Sequence, residues 1–307
     1  MSGKNLIAFC ALAVIWGTTW LAIKAVVEEM PPITSAGVRF LFATLLLVAY
    51  ARLRRQSLAL AQLTHSQRQA VLALSLVMIA LPYALIFYAE QFISSALTAI
   101  LFACHPAIVL LFDSLYARRS LFAPRNLAGL SASCLGLWII FAPRLAGPHT
   151  ELRGAVAILL AAILSSFAVV LAKYGAQEID PVVSTTWQMA GGAVWLLLAG
   201  ILLEQPTWGS YSVAAWLALT YLTVLGSSVA FVLYYMLLRH IAPVQASSLS
   251  FITPVVAVLA GWAVLGEVLS RRTLLGAAIV LTGVALVHRR VEEPGLFPRV
   301  GSGQAGD

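Results

Sequence analysis

The sequence predicts an all-α membrane protein in which ten transmembrane helices form two inverted repeats of five helices. The first reason is composition: hydrophobic residues make up 61% of the chain, charged residues only 10%, and the mean hydropathy is +0.93. A soluble domain carries about 25% charged residues, so we expect lipid rather than water to cover most of this surface. The other two reasons are an internal repeat and the distribution of Lys and Arg.

The second half of the chain repeats polar residues of the first half about 149 residues later. The matched residues are Lys24, Glu29, Pro32 and Ser35 in the first half and Lys173, Glu178, Pro181 and Ser184 in the second. An odd number of helices per repeat inserts the two halves in opposite orientations, which is an architecture of secondary transporters. We expect a first repeat over residues 1–146, a second over residues 147–290 and a disordered tail over residues 291–307.

Each predicted span is an apolar stretch of about 20 residues, the length that crosses about 30 Å of hydrocarbon. Ten such stretches cover residues 5–27, 33–51, 69–88, 93–116, 124–142, 153–174, 182–203, 212–237, 243–265 and 273–288. Proline residues stand between spans 1 and 2 and at the matching place in the second half, at Pro31, Pro32 and Pro181. Since proline is tolerated in the first turn of a helix but not in its interior, we expect it to separate the two helices at both places.

The orientation follows from the excess of Lys and Arg in cytoplasmic loops. With a cytoplasmic N-terminus, twelve such residues lie inside: Lys4, Arg52, Arg54, Arg55, Arg68, Arg118, Arg119, Arg125, Arg239, Arg289, Arg290 and Arg299. Four lie outside: Arg144, Arg153, Arg271 and Arg272. We therefore expect a multi-pass protein of the cell membrane, in bacteria the inner membrane, with both termini in the cytoplasm. The net charge of +7 is divided among short clusters between apolar runs, so we expect no nucleic-acid partner.

Three segments resemble EamA domains of the drug/metabolite transporter superfamily. The stretch from Tyr88 to Ala103, with Pro106 shortly after, is similar to their passage from the third to the fourth helix. So are Trp16 to Thr18 in the first span and Gly266 to Gly276, followed by Gly283, near the end. EamA domains occur in pairs, with ten helices in an inverted repeat. The resemblance implies a substrate path between helices 1, 3, 4, 6, 8 and 9.

Polar side chains at membrane depth are costly and usually face the interior or a cavity. The polar and aromatic residues at such depths that we expect to bind substrate are Trp16, Thr19, Tyr83, His105, Ser166, Tyr234, Ser250 and Thr253. His105 stands before Pro106 and Thr253 before Pro254, and a proline within a span bends or breaks the helix. Paired interrupted helices indicate a binding site near the midplane, although a packing kink is the alternative.

Three basic residues lie within or at the edge of spans. Lys24 and Lys173 are expected near opposite faces, with the ammonium groups reaching the membrane surface. Arg39 lies deeper in the second span and has to be paired or exposed to water, whereas Gln188 at its matching position carries no charge.

The predicted function is secondary transport of small metabolites by alternating access. The resemblance implies amino acids or related compounds as substrates and efflux as the direction, with import or uncoupled facilitated diffusion of another metabolite as alternatives. An intramembrane enzyme needs clustered acid, base or nucleophilic groups at depth, and a single His105 without an acidic partner there argues against this, so we expect no enzyme. Neither a P-loop nor metal-ligand spacing occurs, so no cofactor or metal is expected. We expect a monomer or a weak oligomer whose partners are the lipid bilayer and a small-molecule substrate.

Overall fold

The computed structural model describes residues 3–117, 124–145, 149–204, 211–241, 246, 249–266, 268 and 270–288, and these residues form helices with no strand among them. Beyond a short 3-10 turn at Leu60–Gln62, the described residues contain ten long helical segments, which we number in order. They are α1 Gly3–Val27, α2 Pro32–Leu53, α3 His65–Ala89, α4 Ser95–Tyr116, α5 Pro124–Leu145, α6 His149–Gly175, α7 Pro181–Glu204, α8 Val213–His240, α9 Leu249–Ala260 and α10 Arg271–His288. The predicted tail, residues 291–307, lies outside the described residues.

Seven helices, α1 to α4 and α6 to α8, are long and apolar enough to cross a membrane. Shorter apolar stretches, Ser131–Ile140 and Ile252–Leu265, lie in α5 and across the end of α9. The ten predicted spans overlap these ten segments, and α3 and α6 begin earlier than predicted, at His65 and His149.

The helices begin at residues that satisfy free backbone N–H groups. Thr64 and Gln67 form a capping box at the start of α3, and the Ser212 hydroxyl accepts from the Ala215 N–H at the start of α8. Pro32 and Pro181 occupy the first position of α2 and α7, as the sequence predicted. These starts place the next polar residues, among them Arg39, about two turns inside the bundle.

The helix neighbours form the same pattern in the first half, α1 to α5, and the second half, α6 to α10. Helix α2 packs on α7, and α5 packs on α10. Helix α1 packs on α9 and α8, while its counterpart α6 packs on α4 and α3. The pattern of neighbours is therefore unchanged when the two halves are exchanged, as a twofold relation between repeats requires.

Glycines bring α5 and α10 into close contact. A Cβ atom on Gly136 would lie 2.6 Å from the carbonyl oxygen of Gly276, and one on Gly283 would meet the backbone of Gly129 and Ser133. Larger side chains would force the helices apart, so these glycines serve packing, as small residues do between membrane helices. This pair lies beside the other eight helices and contributes no side chain to the central cavity described below.

Four of the helices that surround the centre of the bundle depart from α geometry or carry an internal proline. A π-helical segment runs over Ser75–Ala80 in α3 and another over Val224–Val229 in α8, so that the two begin 149 residues apart. Helix α4 is interrupted at the turn Ala103–Cys104, directly before His105 and Pro106. The expected second interruption does not occur at Pro254, where α9 runs on as a helix.

Candidate functional site

A central cavity of about 110 Å³ lies between α1, α3 and α4 of the first half and α6, α8 and α9 of the second. Since one water molecule needs roughly 10–15 Å³ on this measure, the cavity has room for several waters or a small solute. These six helices are the ones that the resemblance implies for a substrate path. The lining residues are Trp16, Thr19, Trp20, Ile23, Met78, Tyr83, Ile86, Phe102, His105, Ser165, Val169, Phe231, Tyr234, Ala246, Leu249 and Thr253.

Helical spacing and the break in α4 explain how these side chains converge. Residues three or four apart share one face of a helix, which brings Trp16, Trp20 and Ile23 of α1 to the cavity together. In α4 the turn at Ala103–Cys104 places Phe102 before it and His105 after it at the same wall. Their rings stack with centroids 5.2 Å apart and planes 13° apart.

Aromatic rings form most of the wall. Trp16 lies 5.0 Å from Tyr234 and 5.8 Å from Phe231 between ring centroids, and Phe231 lies 6.2 Å from Tyr83. At the other side of the cavity, Trp20 lies 5.4 Å from Phe102. Tilted and edge-on ring pairs at these distances are favourable, so the wall is an interlocked set of rings from both halves.

The polar groups at the cavity include nitrogen atoms that have no partner. The indole Nε1 of Trp20 and the ring Nδ1 of His105 are buried without a hydrogen-bond partner in the described part of the chain. Trp16 Nε1 donates to the Gly226 carbonyl at 3.4 Å, and the Thr19 hydroxyl donates to the Trp16 carbonyl. Buried polar atoms are nearly always satisfied, so the two free nitrogens mark a position for water or a solute.

Six of the eight residues predicted to bind substrate line this one cavity. These are Trp16, Thr19, Tyr83, His105, Tyr234 and Thr253. Ser166 does not; its hydroxyl is fully buried and donates to the carbonyls of Ala162 and His105, while the neighbouring Ser165 lines the cavity. Ser250 belongs to α9, but its side chain lies outside the described residues.

The residues predicted to bind substrate did not include several apolar and aromatic residues that line the cavity. Trp20, Phe102 and Phe231 line the cavity, as do the aliphatic Ile23 and Ile86. Helical spacing from the predicted residues finds most of them, because Trp20 and Ile23 follow Trp16 at four and seven positions. In the same way, the position of Tyr234 predicts Phe231, which lies three residues earlier on the same helix face.

Arg39 was expected to be paired or exposed to water, and the structure gives it partners that are uncharged. The side chain is 1% exposed and forms no salt bridge with a described acidic residue. Its Nε donates to the Ser227 hydroxyl at 2.7 Å and its Nη2 to the Gly226 carbonyl at 3.2 Å. The guanidinium carbon also lies 4.8 Å from the ring centre of Tyr83 and 5.0 Å from that of Phe40. Neutral oxygens and aromatic faces therefore surround the charge.

Lys24 and Lys173 also differ from the expectation of ammonium groups that simply reach the membrane surface. Lys24 Nζ donates to the Glu90 carbonyl at 2.8 Å, where α3 ends. Lys173 Nζ donates to the Leu238 carbonyl at 2.8 Å and to the Ile241 carbonyl at 3.3 Å, where α8 ends. A cation at the C-terminus of a helix satisfies free carbonyls and complements the helix dipole. Each lysine thus ties two cavity-forming helices together.

Comparison with known proteins agrees with this architecture. The EamA-like transporter family matches residues 3–142 and again residues 152–289. The chain belongs to this family. Its two matched stretches divide the chain as the spacing of 149 residues does, and they carry α1 to α5 and α6 to α10 respectively. No group of three or more His, Cys, Asp or Glu side chains that could hold a metal ion occurs among the described residues of this EamA-family protein.

Relatives of this EamA-family protein carry transporter names. The "Uncharacterized inner membrane transporter YedA" of Escherichia coli (strain K12) is 31% identical over 91% of this chain and 89% of its own length. "Uncharacterized transporter YoaV" of Bacillus subtilis (strain 168) is 25% identical over 92% and 95% of the two chains. A crystal structure that shares 17% identity covers 94% of this chain and 98% of its own with a TM-score of 0.70, which supports the fold. The protein is therefore a multi-pass membrane transporter of the EamA family.

Proposed function

We propose that the protein is a secondary transporter that exports small metabolites, with amino acids and related compounds as the leading class. Transport proceeds by alternating access around the central cavity. Ten spans form two inverted repeats, residues 1–146 and 147–290, and both termini lie on the cytoplasmic side of a bacterial inner membrane. Import and uncoupled facilitated diffusion remain the alternatives within transport.

The observation that carries this proposal is the position of the cavity between three helices of each half. A binding site at the interface of two repeats can open to either side when the halves rock against each other. Further support comes from the exchangeable pattern of helix neighbours and from the π-helical segments at matching positions. π-helical turns are often found at functional sites, where they allow local rearrangement.

The test fills the cavity and leaves the rest of the fold unchanged. Thr253 is 6% exposed and lines the cavity, whereas Val255, two residues later on the same helix, is 51% exposed on the outer surface. Thr253→Phe places a ring in the substrate volume, and Val255→Phe adds the same ring toward lipid. The purified chain in liposomes is assayed against a panel of labelled amino acids and metabolites, with and without a pH gradient.

We expect the wild-type protein to transport at least one member of the panel and Val255→Phe to retain its rate within about twofold. Thr253→Phe should reduce the transport rate by about tenfold or more. The added ring and a bound substrate would compete for the same volume, and overpacking of this kind costs about 1–3 kcal/mol. Equal transport by both variants would contradict the cavity as the substrate site. In right-side-out vesicles, faster substrate uptake than substrate release would favour import over export.

A further inference from the structure

The buried cation next to the cavity forms no salt bridge with an acidic residue in the described part of the chain. Arg39 is among the largest fully buried side chains. One of its nitrogens, Nη1, has no hydrogen-bond acceptor in the described structure. A buried charge without a partner is expensive, and removing it from a protein interior is usually favourable. A role in ligand binding explains why such a group stands here.

Arg39 reaches the wall of the cavity by two contacts. Its guanidinium lies under the ring of Tyr83, which lines the cavity. Its Nη2 and the Nε1 of Trp16, another lining residue, donate to one acceptor, the Gly226 carbonyl oxygen. Two donors therefore converge on a single oxygen in the π-helical segment of α8. Arg39 does not itself line the cavity, but it contacts the lining residue Tyr83.

The balance of donors and acceptors favours an acceptor as ligand. Indole N–H groups and guanidinium groups only donate hydrogen bonds. Trp20 Nε1 and Arg39 Nη1 are donors without acceptors, and Trp16 Nε1 shares its acceptor. No Asp or Glu is found among the described residues that line the cavity. Excess donors and one nearby positive charge are complementary to a carboxylate.

We propose that the substrate carries a carboxylate that Arg39 neutralises, while an apolar or aromatic body occupies the ring-lined cavity. This inference rests on the proposed transport function and names the substrate class. The Tyr83 ring turns aside so that a carboxylate oxygen accepts from Arg39 and from the Trp16 indole N–H, the two donors that share the Gly226 carbonyl oxygen. An ammonium group of an amino acid finds aromatic faces rather than an acidic side chain in the described wall.

The experiment measures binding by isothermal titration calorimetry with two matched probes, 3-phenylpropionate and its neutral amide 3-phenylpropanamide. It uses the purified full chain in detergent, with protein-free micelles as the blank. The test variant is Arg39→Gln, since Gln188 occupies the matching position of the second half. The control is Arg52→Gln, which removes the same charge from an exposed site on the same helix.

We expect the carboxylate to bind at least about tenfold more tightly than the amide to the wild-type protein and to Arg52→Gln. In Arg39→Gln the two affinities should agree within about twofold, with amide binding unchanged. A full carboxylate preference in Arg39→Gln would overturn the inference. If Arg39→Gln no longer binds the amide, the substitution has damaged the cavity. Arg39→Lys then replaces it in the comparison. This variant keeps the positive charge and should still bind the carboxylate more tightly than the amide.

The affinities of the wild-type protein for the two probes can refute the inference without any variant. Equal affinities for acid and amide, or no binding of either probe, would overturn the carboxylate inference whatever the variants do. Transport of uncharged or cationic metabolites in liposomes would do the same and leave the proposed transport function intact. Absence of any transport in the panel would instead contradict the function itself.

Discussion

The two halves of the transporter differ in what they do with matching polar residues. Lys24 and Lys173 make the same contact, each from the end of a first helix to free carbonyls at the end of the third helix of its half. Arg39 and Gln188 do not. The Gln188 amide accepts from the Tyr235 hydroxyl at 2.6 Å and donates to Ser184, so its contacts are neutral and satisfied.

This difference distinguishes residues that hold the helices together from residues that belong to the proposed binding site. The lysine contacts at the helix ends are found in both halves, because both halves need the same closure there. The buried charge next to the cavity is found in one half only, which agrees with the proposal of one substrate carboxylate in one cavity. Under that proposal, pseudo-symmetry predicts the frame, and a departure from it indicates the substrate site.

The largest expected effect comes from replacing Arg39 by an apolar residue, with the same change at Gln188 as the comparison. Arg39→Met should reduce transport by about 100-fold or more, since truncating one partner of a buried charge pair costs about 2–5 kcal/mol. Gln188→Met removes two neutral hydrogen bonds and should reduce transport by less than about fivefold. Both are measured as initial rates in liposomes, normalised to folded protein by size-exclusion chromatography.

A similar loss in the two variants, with both proteins folded, would make Arg39 a structural residue like Gln188. Because Arg39 also joins α2 to α8 through Ser227, Ser227→Ala is the matched control for that contact. It should retain most of the transport rate. A loss as large as that of Arg39→Met would assign the effect to helix packing.

The second prediction concerns the matched lysines. In the proposed topology Lys24 closes the bundle toward the periplasm and Lys173 toward the cytoplasm. Hydrogen bonds to a charged group contribute about 1.5–3 kcal/mol, so each Lys→Met change should shift the conformational equilibrium about tenfold toward opening on its own side. The readout is labelling of Ser165→Cys in the cavity by a membrane-impermeant thiol reagent, after replacement of Cys10, Cys104 and Cys134.

Labelling should rise from the periplasmic side in Lys24→Met and from the cytoplasmic side in Lys173→Met. Spheroplasts and inside-out vesicles give the two sides separately. An increase from the same side in both variants would contradict the opposite orientation of the two halves, and unchanged labelling in both would show that these contacts do not control access.

The fold could be predicted from the sequence because membrane helices depend on few local signals. Apolar length, proline at helix starts and the spacing of the repeats predicted where the helices lie along the chain. The π-helical segments could not be predicted, because they depend on packing against the other half. Gly191 and Gly192, for example, lie against Ser75 and Ile79 in the π-helical segment of α3. The uninterrupted helix at Pro254 shows the same limit.

The site could be predicted where polarity gives a signal and not where packing decides. Trp16, Tyr83 and His105 were found because polar or aromatic groups at depth are unusual. Ser165 and Ser166 are neighbours of one type, and only helix rotation decides which faces the cavity. The hydrogen-bond acceptors of Arg39 come from α8, 187 and 188 residues away, so no local pattern indicated these partners.

A smaller effect is expected at His105, which stands before Pro106 and lines the cavity. No carboxylate accompanies His105 in the described lining, so a proton bound there has no acidic partner for transfer. We therefore expect transport that does not respond to a pH gradient, and His105→Gln should retain its rate within about threefold, the loss of about one hydrogen bond or less. A gradient response that His105→Gln abolishes would make His105 the coupling group.

The smallest effect is expected at the matched acids Glu29 and Glu178, outside the spans. Ser212 donates its hydroxyl at 2.6 Å and its backbone N–H at 2.8 Å to the Glu29 carboxylate, and these bonds lower the pKa of Glu29 below its ordinary value of 4.5. A depressed pKa stabilises the folded state above that ordinary value, and the contribution is lost as the pH falls through the lower, folded-state pKa. Glu29→Gln should lower the Tm in detergent at pH 7 by about 1 °C, given its exposed position.

That difference in Tm should shrink as the pH falls below 4.5 and through the lower pKa of the folded state, because the wild-type carboxyl then becomes protonated. Glu178→Gln is the matched control, since no hydrogen bond to its carboxylate is found in the described structure and Arg239 contacts only its backbone carbonyl. It should show no pH-dependent difference from the wild type. Equal pH dependence in the two variants would assign the effect to net charge, and the contact between Glu29 and Ser212 would then contribute nothing of its own to the start of α8.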